Sequence, residues 1–451
     1  MKKAIAGLLA ALLLLLAASC ACANTVADTF CCGLAYFEVN GKYGYVDTRG
    51  KIVIPAQWDY AGKFCESGYA VVFIGTTRES GYPEKGSYGI INTKGEYLLE
   101  PTECHDIDLY TVDRLGFYSI SYKVGESDWD FAFVSLDGKL LGGKIWSNAY
   151  SSSLPMAVED ENGKWGYVDF EHGMLIPCRY EKAHQFYNGL ALVETTNAKG
   201  RTAYEYIDLE GNTVITGTWD YAESFSDDGY ARVFRGTLSK YGSPEEGKYA
   251  YINRQGEYIT DYVFDEARDF RGGLAAVATV NAKGRKVWGL INPSGEYVVP
   301  AEWDYAYSPV NGYAQVFRGT LSKYGSPDEG IWGYVDLNGN LIAEPQWVKA
   351  QDFGEDGKAI AAVADGDGRP LYGIIGTDGS PVIPYAWESI GAFSEGRAAV
   401  KQDGKYGYID ETGALVIPAK WEKAGKFSGG VAIVWDSETW YIIDSEGNAV
   451  F

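Results

Sequence analysis

The chain has 451 residues, and 61 acidic against 39 basic side chains give it a formal charge of −22. A surface of that sign has no cationic field with which to neutralise phosphates, so nucleic acid is excluded as a partner. Aromatics at 15%, 56 glycines and few helix-forming runs point to many short strands and tight turns, and away from disorder.

Lys2 and Lys3 precede an apolar run, Ala4 to Ala18, too short to span a bilayer, and a small-residue region follows it. Residues 1–23 therefore read as a secretory leader. Two cleavage patterns fit. Leu16-Ala17-Ala18-Ser19-Cys20 resembles a bacterial lipobox, which would make Cys20 the lipidated first residue; Ala21-Cys22-Ala23 suits an ordinary site before Asn24. The expectation is an exported, cell-surface lipoprotein, with free secretion as the alternative, touching a membrane only through the N-terminal lipid. A short segment, 24–35, leads into a repeat domain expected over 36–451.

All seven cysteines, Cys20, Cys22, Cys31, Cys32, Cys65, Cys104 and Cys178, lie in the first part of the chain, so disulfides are not the general staple of the fold. Pairing among the six after Cys20 is left open. Adjacent Cys31 and Cys32 have no second CxxC or nearby His, so neither a metal nor another cofactor is expected.

From Tyr43 onward one pattern recurs: aromatic-Gly-aromatic-aliphatic-Asp, a turn ending in Gly, an apolar run with Pro, an aromatic, and a last apolar run. Aligned on the residue after the first aromatic, the copies fall at Gly44, Gly89, Ala132, Gly166, Glu205, Ala250, Gly289, Gly333, Gly373, Gly407 and a truncated Tyr441. A basic unit of 34 residues, as from Gly373 to Gly407, with insertions accounts for every spacing, and fixed-period self-similarity means a repeat architecture. Asp47 to Gly50, Asn92 to Gly95, Asn253 to Gly256 and Asp410 to Gly413 place Asx first and Gly fourth, as a type I turn prefers. Hairpins are predicted there. Strands such as Ile52-Val53-Ile54 are expected to stop at the following Pro, which has no N–H for a ladder. The glycine between two aromatics reads as a place where a neighbouring ring or backbone needs room.

A longer duplication overlies this period. Phe234 to Pro244 recurs without change from Phe317 to Pro327, and Asn197 to Arg201 recurs as Asn281 to Arg285 with Lys, Gly and Arg in register. The inserts at Gly75 to Gly86, Gly236 to Gly247 and Gly319 to Gly330 read as long loops. Residues 100–160 are the most degenerate stretch.

Trp165 to Asp169, Trp332 to Asp336 and Trp288 to Asn292, with the Tyr-Gly versions and the apolar-Ile-Pro, Trp-Asp/Glu and Phe-Gly-x-Ala-x-Val that follow, resemble the bacterial WG (KWG) repeat family over roughly Tyr36 to Phe451. The resemblance implies an all-β array, exported or surface-associated, with an interaction role and no catalytic residues to carry over. Each unit is too small to bury its apolar face alone, so the core is shared between neighbours. The fold expected is an all-β tandem array of about ten units of short antiparallel strands, propeller-like and open or superhelical, with a closed β-propeller or a β-solenoid as alternatives.

No catalytic or metal site is expected. The three histidines, His105, His172 and His184, lie in no protease or triad motif. Cys104-His105-Asp106-Ile107-Asp108 breaks the repeat and reads either as a grafted site or, more simply, as a decayed copy. Asp59, Asp220 and Asp304 each follow a repeated Trp, and Asp365-Gly366-Asp367-Gly368 suits a hairpin turn better than a calcium loop. Trp58, Trp219, Trp303, Trp347, Trp387 and Trp421 read as spacers filling the gap between units. The ligand-binding candidates are Arg235, Lys240, Tyr241, Arg318, Lys323 and Tyr324, presented twice by equivalent inserts. The function expected is a non-catalytic scaffold binding a protein or polysaccharide at the cell surface; an exported glycan-active enzyme is the alternative.

Overall fold

A computed structural model describes residues 25–27, 29–125, 129–150, 153–437 and 439–450. Among these, eleven small antiparallel sheets follow one another along the chain, eight of four strands and three of three. The all-β expectation holds. Each sheet is built like a propeller blade, its strands in sequential order. The contacts divide the chain into two units. One holds the described residues through Asn148 together with those from Glu388 onward, and the other is Ala149–Trp387.

The sequence repeat and the sheet are out of phase. Lys405–Asp410 and Leu415–Trp421 are the third and fourth strands of a sheet that opens with Ser389–Ile390 and Arg397–Gln402. The last apolar run of that copy, Val431–Asp436, pairs with Lys423–Ala424 and Thr439–Asp444 in the next sheet. Each copy therefore straddles two sheets.

The strands do not stop at proline. Leu415–Trp421 runs through Pro418 to the Trp as an edge strand, where a missing N–H leaves no ladder bond unmade. Its partner changes from Ile417 opposite Tyr408 to Trp421 opposite Tyr406, so Pro418 to Lys420 bulge past Gly407. A Cβ on Gly407 would lie 2.5 Å from the Ile417 carbonyl oxygen and 2.7 Å from the Ala419 nitrogen, so this glycine is required by the approaching backbone. The same Pro-bearing strand faces Gly44, Gly89, Gly166, Gly289, Gly333 and Gly373. Where the glycine is Ala132, Glu205 or Ala250 the following strand has no Pro. Beside Ala250 the fourth strand is reduced to single bridges, Tyr249 to Phe264 and Ile252 to Tyr258.

The turns form as predicted. Asp410 Oδ1 accepts the Thr412 and Ala414 amides at 2.9 and 3.1 Å, and Asp365 does the same for Asp367 and Arg369 at 2.8 and 2.9 Å. The inserts differ from expectation. They are ladders rather than loops, extending Tyr230–Leu238 against Pro244–Asn253 and Tyr313–Leu321 against Pro327–Asp336. Asp220 and Asp304 pin the base of these hairpins, each accepting the Gly236 or Gly319 amide at 3.0 Å. Asp59 holds Gly75 in the same way.

Cores lie between consecutive sheets. The six spacer tryptophans are 0–8% exposed. Trp58, Trp219 and Trp347 also donate from Nε1 to the hydroxyls of Tyr97, Tyr258 and Tyr385 in the following sheet, at 2.9, 2.9 and 2.7 Å. Burying an indole of this size between sheets is the main apolar gain of each junction. Lys42–Asp59, Lys164–Glu181, Lys248–Asp265 and Lys405–Glu422 add ion pairs of 2.6–2.8 Å across junctions. In the unit that holds both ends, the first and last sheets share one core: Val26, Phe30, Phe37 and Val46 pack with Val431, Ile433, Trp440 and Ile442. Thr25–Val26 pairs with Leu34–Val39, so the short N-terminal segment is part of the first sheet.

Candidate binding site

In six copies the second aromatic is a Tyr that fixes the next sheet. Tyr45, Tyr167, Tyr206, Tyr251, Tyr334 and Tyr408 are nearly or fully inaccessible, and each hydroxyl donates to the carbonyl of a residue 17 positions on, at 2.5–2.7 Å. Burial pushes these phenols far above the usual tyrosine range, so they stay protonated donors. The accepting residue follows the first strand of the next sheet, or in the case of His184 lies within it (Lys182–Tyr187), and its backbone is held in place.

What occupies that position differs between the two units. Among the five described sheets of the unit holding both ends it is Ala27, Gly62, Asp108, Gly391 and Gly425. In Ala149–Trp387 it is His184, Glu223, Arg268, Tyr307 and Gln351 in five consecutive sheets. The position after it is also polar there, with Gln185, Ser224, Asp269, Ser308 and Asp352.

These side chains line two adjoining clefts of about 970 and 820 Å³ that share Asp269, Arg271 and Val310. The first takes in Tyr150, His184, Glu223 and Asp227. The second takes in Arg232, Arg268, Tyr307, Gln315, Trp332 and Asp352. Arg232 lies between them in function: its guanidinium pairs with Glu223, meets Asp269 Oδ1 at 3.1 Å and donates to the Ala267 carbonyl at 2.6 Å. Burial lifts the Glu223 carboxyl above its ordinary range, and the Arg232 charge offsets this only in part. Arg268 sits over the rings of Trp288, Tyr305 and Tyr307 at 4.7–5.1 Å and donates to the Tyr305 hydroxyl. Gln315 donates to Asp352 at 2.6 Å, and Ser308 to the Asp269 carbonyl at 2.7 Å. Tyr307 and Trp332 are near-parallel, with centroids 6.0 Å apart. The result is a polar trough with an aromatic wall and fixed donors and acceptors, suited to hold a polar ligand.

The residues chosen from sequence lie elsewhere and divide in two. Arg235 stacks on Tyr262 at 4.7 Å and reaches Thr218, and Arg318 stacks on Trp303 at 4.2 Å and pairs with Glu302. Both are exposed, but they brace the hairpin base and do not reach its tip. Lys240 with Tyr241 and Lys323 with Tyr324 sit at the tips, the tyrosines 81% and 82% exposed, each under its lysine at 4.7–4.8 Å. Cys20 falls outside the described residues.

The Cys104 to Asp108 cluster has a structural account. Burial pushes the Cys104 thiol up to about 11, with Asp106 adding to it, the opposite of what a nucleophile needs. The His105 ring packs on Trp129 at 4.1 Å. Among the described cysteines, Cys31, Cys32, Cys65 and Cys104 are free thiols, and no group able to hold a metal occurs among the described residues. Glu223, Arg232, Arg268, Tyr307 and Gln315 escaped the sequence reading. The signal was a departure inside the repeat: Arg232 and Gln315 stand where other copies carry Val71, Leu192, Ala276, Ile360, Ala399 and Ile433.

Among solved structures, the chain is similar at 12% identity to a eukaryotic initiation factor (80% of this chain, 86% of that one, TM-score 0.39). It is also similar to a putative TolB from Agrobacterium tumefaciens (12% identity, 43% and 74%, TM-score 0.23) and to an uncharacterized protein from Listeria monocytogenes EGD-e (11%, 58% and 90%, TM-score 0.27). No curated protein matches it significantly. The profile described as WG containing repeat matches residues 43–75, 165–198, 206–236, 249–282, 288–319, 332–365, 372–406 and 406–434, together more than half of the chain. With the bulged Gly-Pro contact and the buried second aromatic recurring through these copies, the chain belongs to the WG-repeat family.

Proposed function

We propose that this is a non-catalytic recognition protein whose ligand lies along the first-strand edge of the Ala149–Trp387 unit. One observation carries the reading: a repeat position that is Gly or Ala in four of the five described sheets of one unit (Ala27, Gly62, Gly391 and Gly425, with Asp108 in the fifth) becomes His184, Glu223, Arg268, Tyr307 and Gln351 in the other unit. Packing alone favours like residues at like positions of a repeat, so five different functional side chains at one repeat position, four of them on a backbone clamped by a Tyr, speak for a ligand. The recurrent acids bind backbone amides or lysines, which gives them a structural use and lends nothing to the glycan-active alternative. The partner is a surface-held polysaccharide or protein, reached by an exported chain anchored through Cys20.

The test compares retention of the mature protein on extracted envelope polymers for two variants of unchanged melting temperature. Arg271→Ala with Tyr307→Ala alters the cleft; Lys240, Tyr241, Lys323 and Tyr324 all changed to Ala alter the hairpin tips. Loss in the first alone is expected. Loss in the second alone would move the site to the hairpins.

A further inference from the structure

Resting on that reading of the trough, we infer that its second cleft takes an acidic saccharide, a sugar ring bearing a carboxylate of the uronic-acid type. Two features of the cleft define this class. The first is charge. In a chain of −22, Arg268 and Arg271 make no salt bridge among the described residues, although both line the cleft. Arg232, the third guanidinium, is already held by Glu223 and Asp269, and the Asp352 carboxylate already receives Gln315. Two arginines left without carboxylates on a strongly acidic protein are positioned for an anion that the protein does not itself supply. Arg271 is exposed and has no side-chain hydrogen bond, so its planar fork is free to take a carboxylate in bidentate fashion.

The second feature is shape. Tyr307 and Trp332, half-buried and within 14° of parallel, give the cleft an aromatic wall of the kind on which the C–H face of a pyranose packs. Beside it Gln315, Asp352 and Arg268 offer amide, carboxylate and guanidinium groups with fixed geometry, and hydroxyls of a sugar can both donate to and accept from such a set. The cleft, at about 820 Å³, has room for more than one ring. A free phosphate or a simple carboxylate would use the arginines and leave the aromatic wall idle; a neutral sugar would do the reverse. An acidic sugar uses both.

The experiment is calorimetric titration of the mature protein at low salt with a galacturonic-acid trisaccharide, the matching neutral galactose trisaccharide and inorganic phosphate. A small array of neutral glycans and peptides is run beside it. The expected result is binding of the acidic trisaccharide at least tenfold tighter than the neutral one. That binding weakens at least tenfold in Arg271→Gln and weakens with added salt, with no comparable binding of phosphate. Trp332→Phe, which keeps a ring in the core, should weaken it as well. Equal binding of neutral and acidic trisaccharides, lost in Trp332→Phe, would overturn the acidic assignment while leaving the cleft as the site. Phosphate binding as tight as that of the acidic sugar would overturn the saccharide assignment. Absence of binding by every probe, or binding indifferent to Arg271→Gln and Trp332→Phe, would overturn the assignment together with the reading of the trough on which it rests.

Discussion

The Tyr408 hydroxyl donates to the Gly425 carbonyl at 2.7 Å, joining the third strand of one sheet to the first strand of the next. Tyr408 is fully buried, so its hydroxyl has no water to fall back on. Replacing it with Phe leaves the Gly425 carbonyl without this donor, and the expected loss of stability is about 1–2 kcal/mol. Urea unfolding followed by tyrosine and tryptophan fluorescence measures it; an unchanged midpoint would show that the bond adds nothing net.

Gly407→Ala and Ala250→Gly should behave as opposites. The first drives a methyl into the backbone around Pro418, and overpacking of this kind costs about 1–3 kcal/mol. The second sits where no Pro-bearing strand passes, and only the strand penalty of glycine applies, about 0.5–1 kcal/mol. Thermal unfolding of both proteins decides, and a larger loss for Ala250→Gly would refute the bulge argument.

The hairpin arginines and hairpin tips should separate in the same way. Lys240, Tyr241, Lys323 and Tyr324 changed together to Ala should leave stability within about 0.5 kcal/mol, because all four side chains lie at the surface. Arg318→Ala gives up its stack on Trp303, at about 0.5–1 kcal/mol. Melting temperatures of the two variants supply the comparison.

His172 Nδ1 lies 3.0 Å from Asp169 Oδ2 in an exposed turn. Its hydrogen bond and the Asp169 charge raise the His172 pKa above the ordinary 6.5. For Asp169, slight burial acts upward, but the His172 amide and ring outweigh it and the pKa falls. The sign follows for each partner. The imidazole's contribution is complete below the ordinary His range and is lost as pH rises through the raised value; that of Asp169 is present above the ordinary carboxylate range and is lost as pH falls through the lowered one. An NMR titration of the His172 ring should therefore give a midpoint above that of Asp169→Asn. Coincident midpoints would remove the pair.

Cys104 should resist alkylation. With its thiol pushed up to about 11 by burial, almost none is thiolate at pH 8. Exposed Cys32 should therefore react with iodoacetamide first, as peptide mass spectrometry of a time course would show.

The parts of the fold that could be read in advance are those that every copy repeats. Asx-to-Gly turns, the glycine crowded by backbone and the spacer tryptophans each have a local chemical reason, and repetition made each reason visible several times over. Pro418 was misjudged because the rule that proline ends a ladder holds for inner strands, and this strand is at an edge with a bulge to spend. The phase of the sheets could not be read, since an apolar run such as Val431 to Val434 pairs equally well in principle with the strand before it or after it. The trough was missed for the converse reason. The exposed inserts break the period in length, whereas Glu223, Arg268 and Tyr307 keep the period and break it only in chemistry.

The offset between copy and sheet has a bearing on how such a chain changes length. A gain or loss of whole copies, wherever the cut falls within the period, rejoins strand to strand in the register they already had, so no new seam has to be accommodated. The identical stretches Phe234 to Pro244 and Phe317 to Pro327 are what a two-copy gain leaves behind. The newcomers arrive with their Tyr donors, Trp spacers and lysine partners in place, and only the residue at the clamped position needs to diverge for the added sheets to acquire a different use.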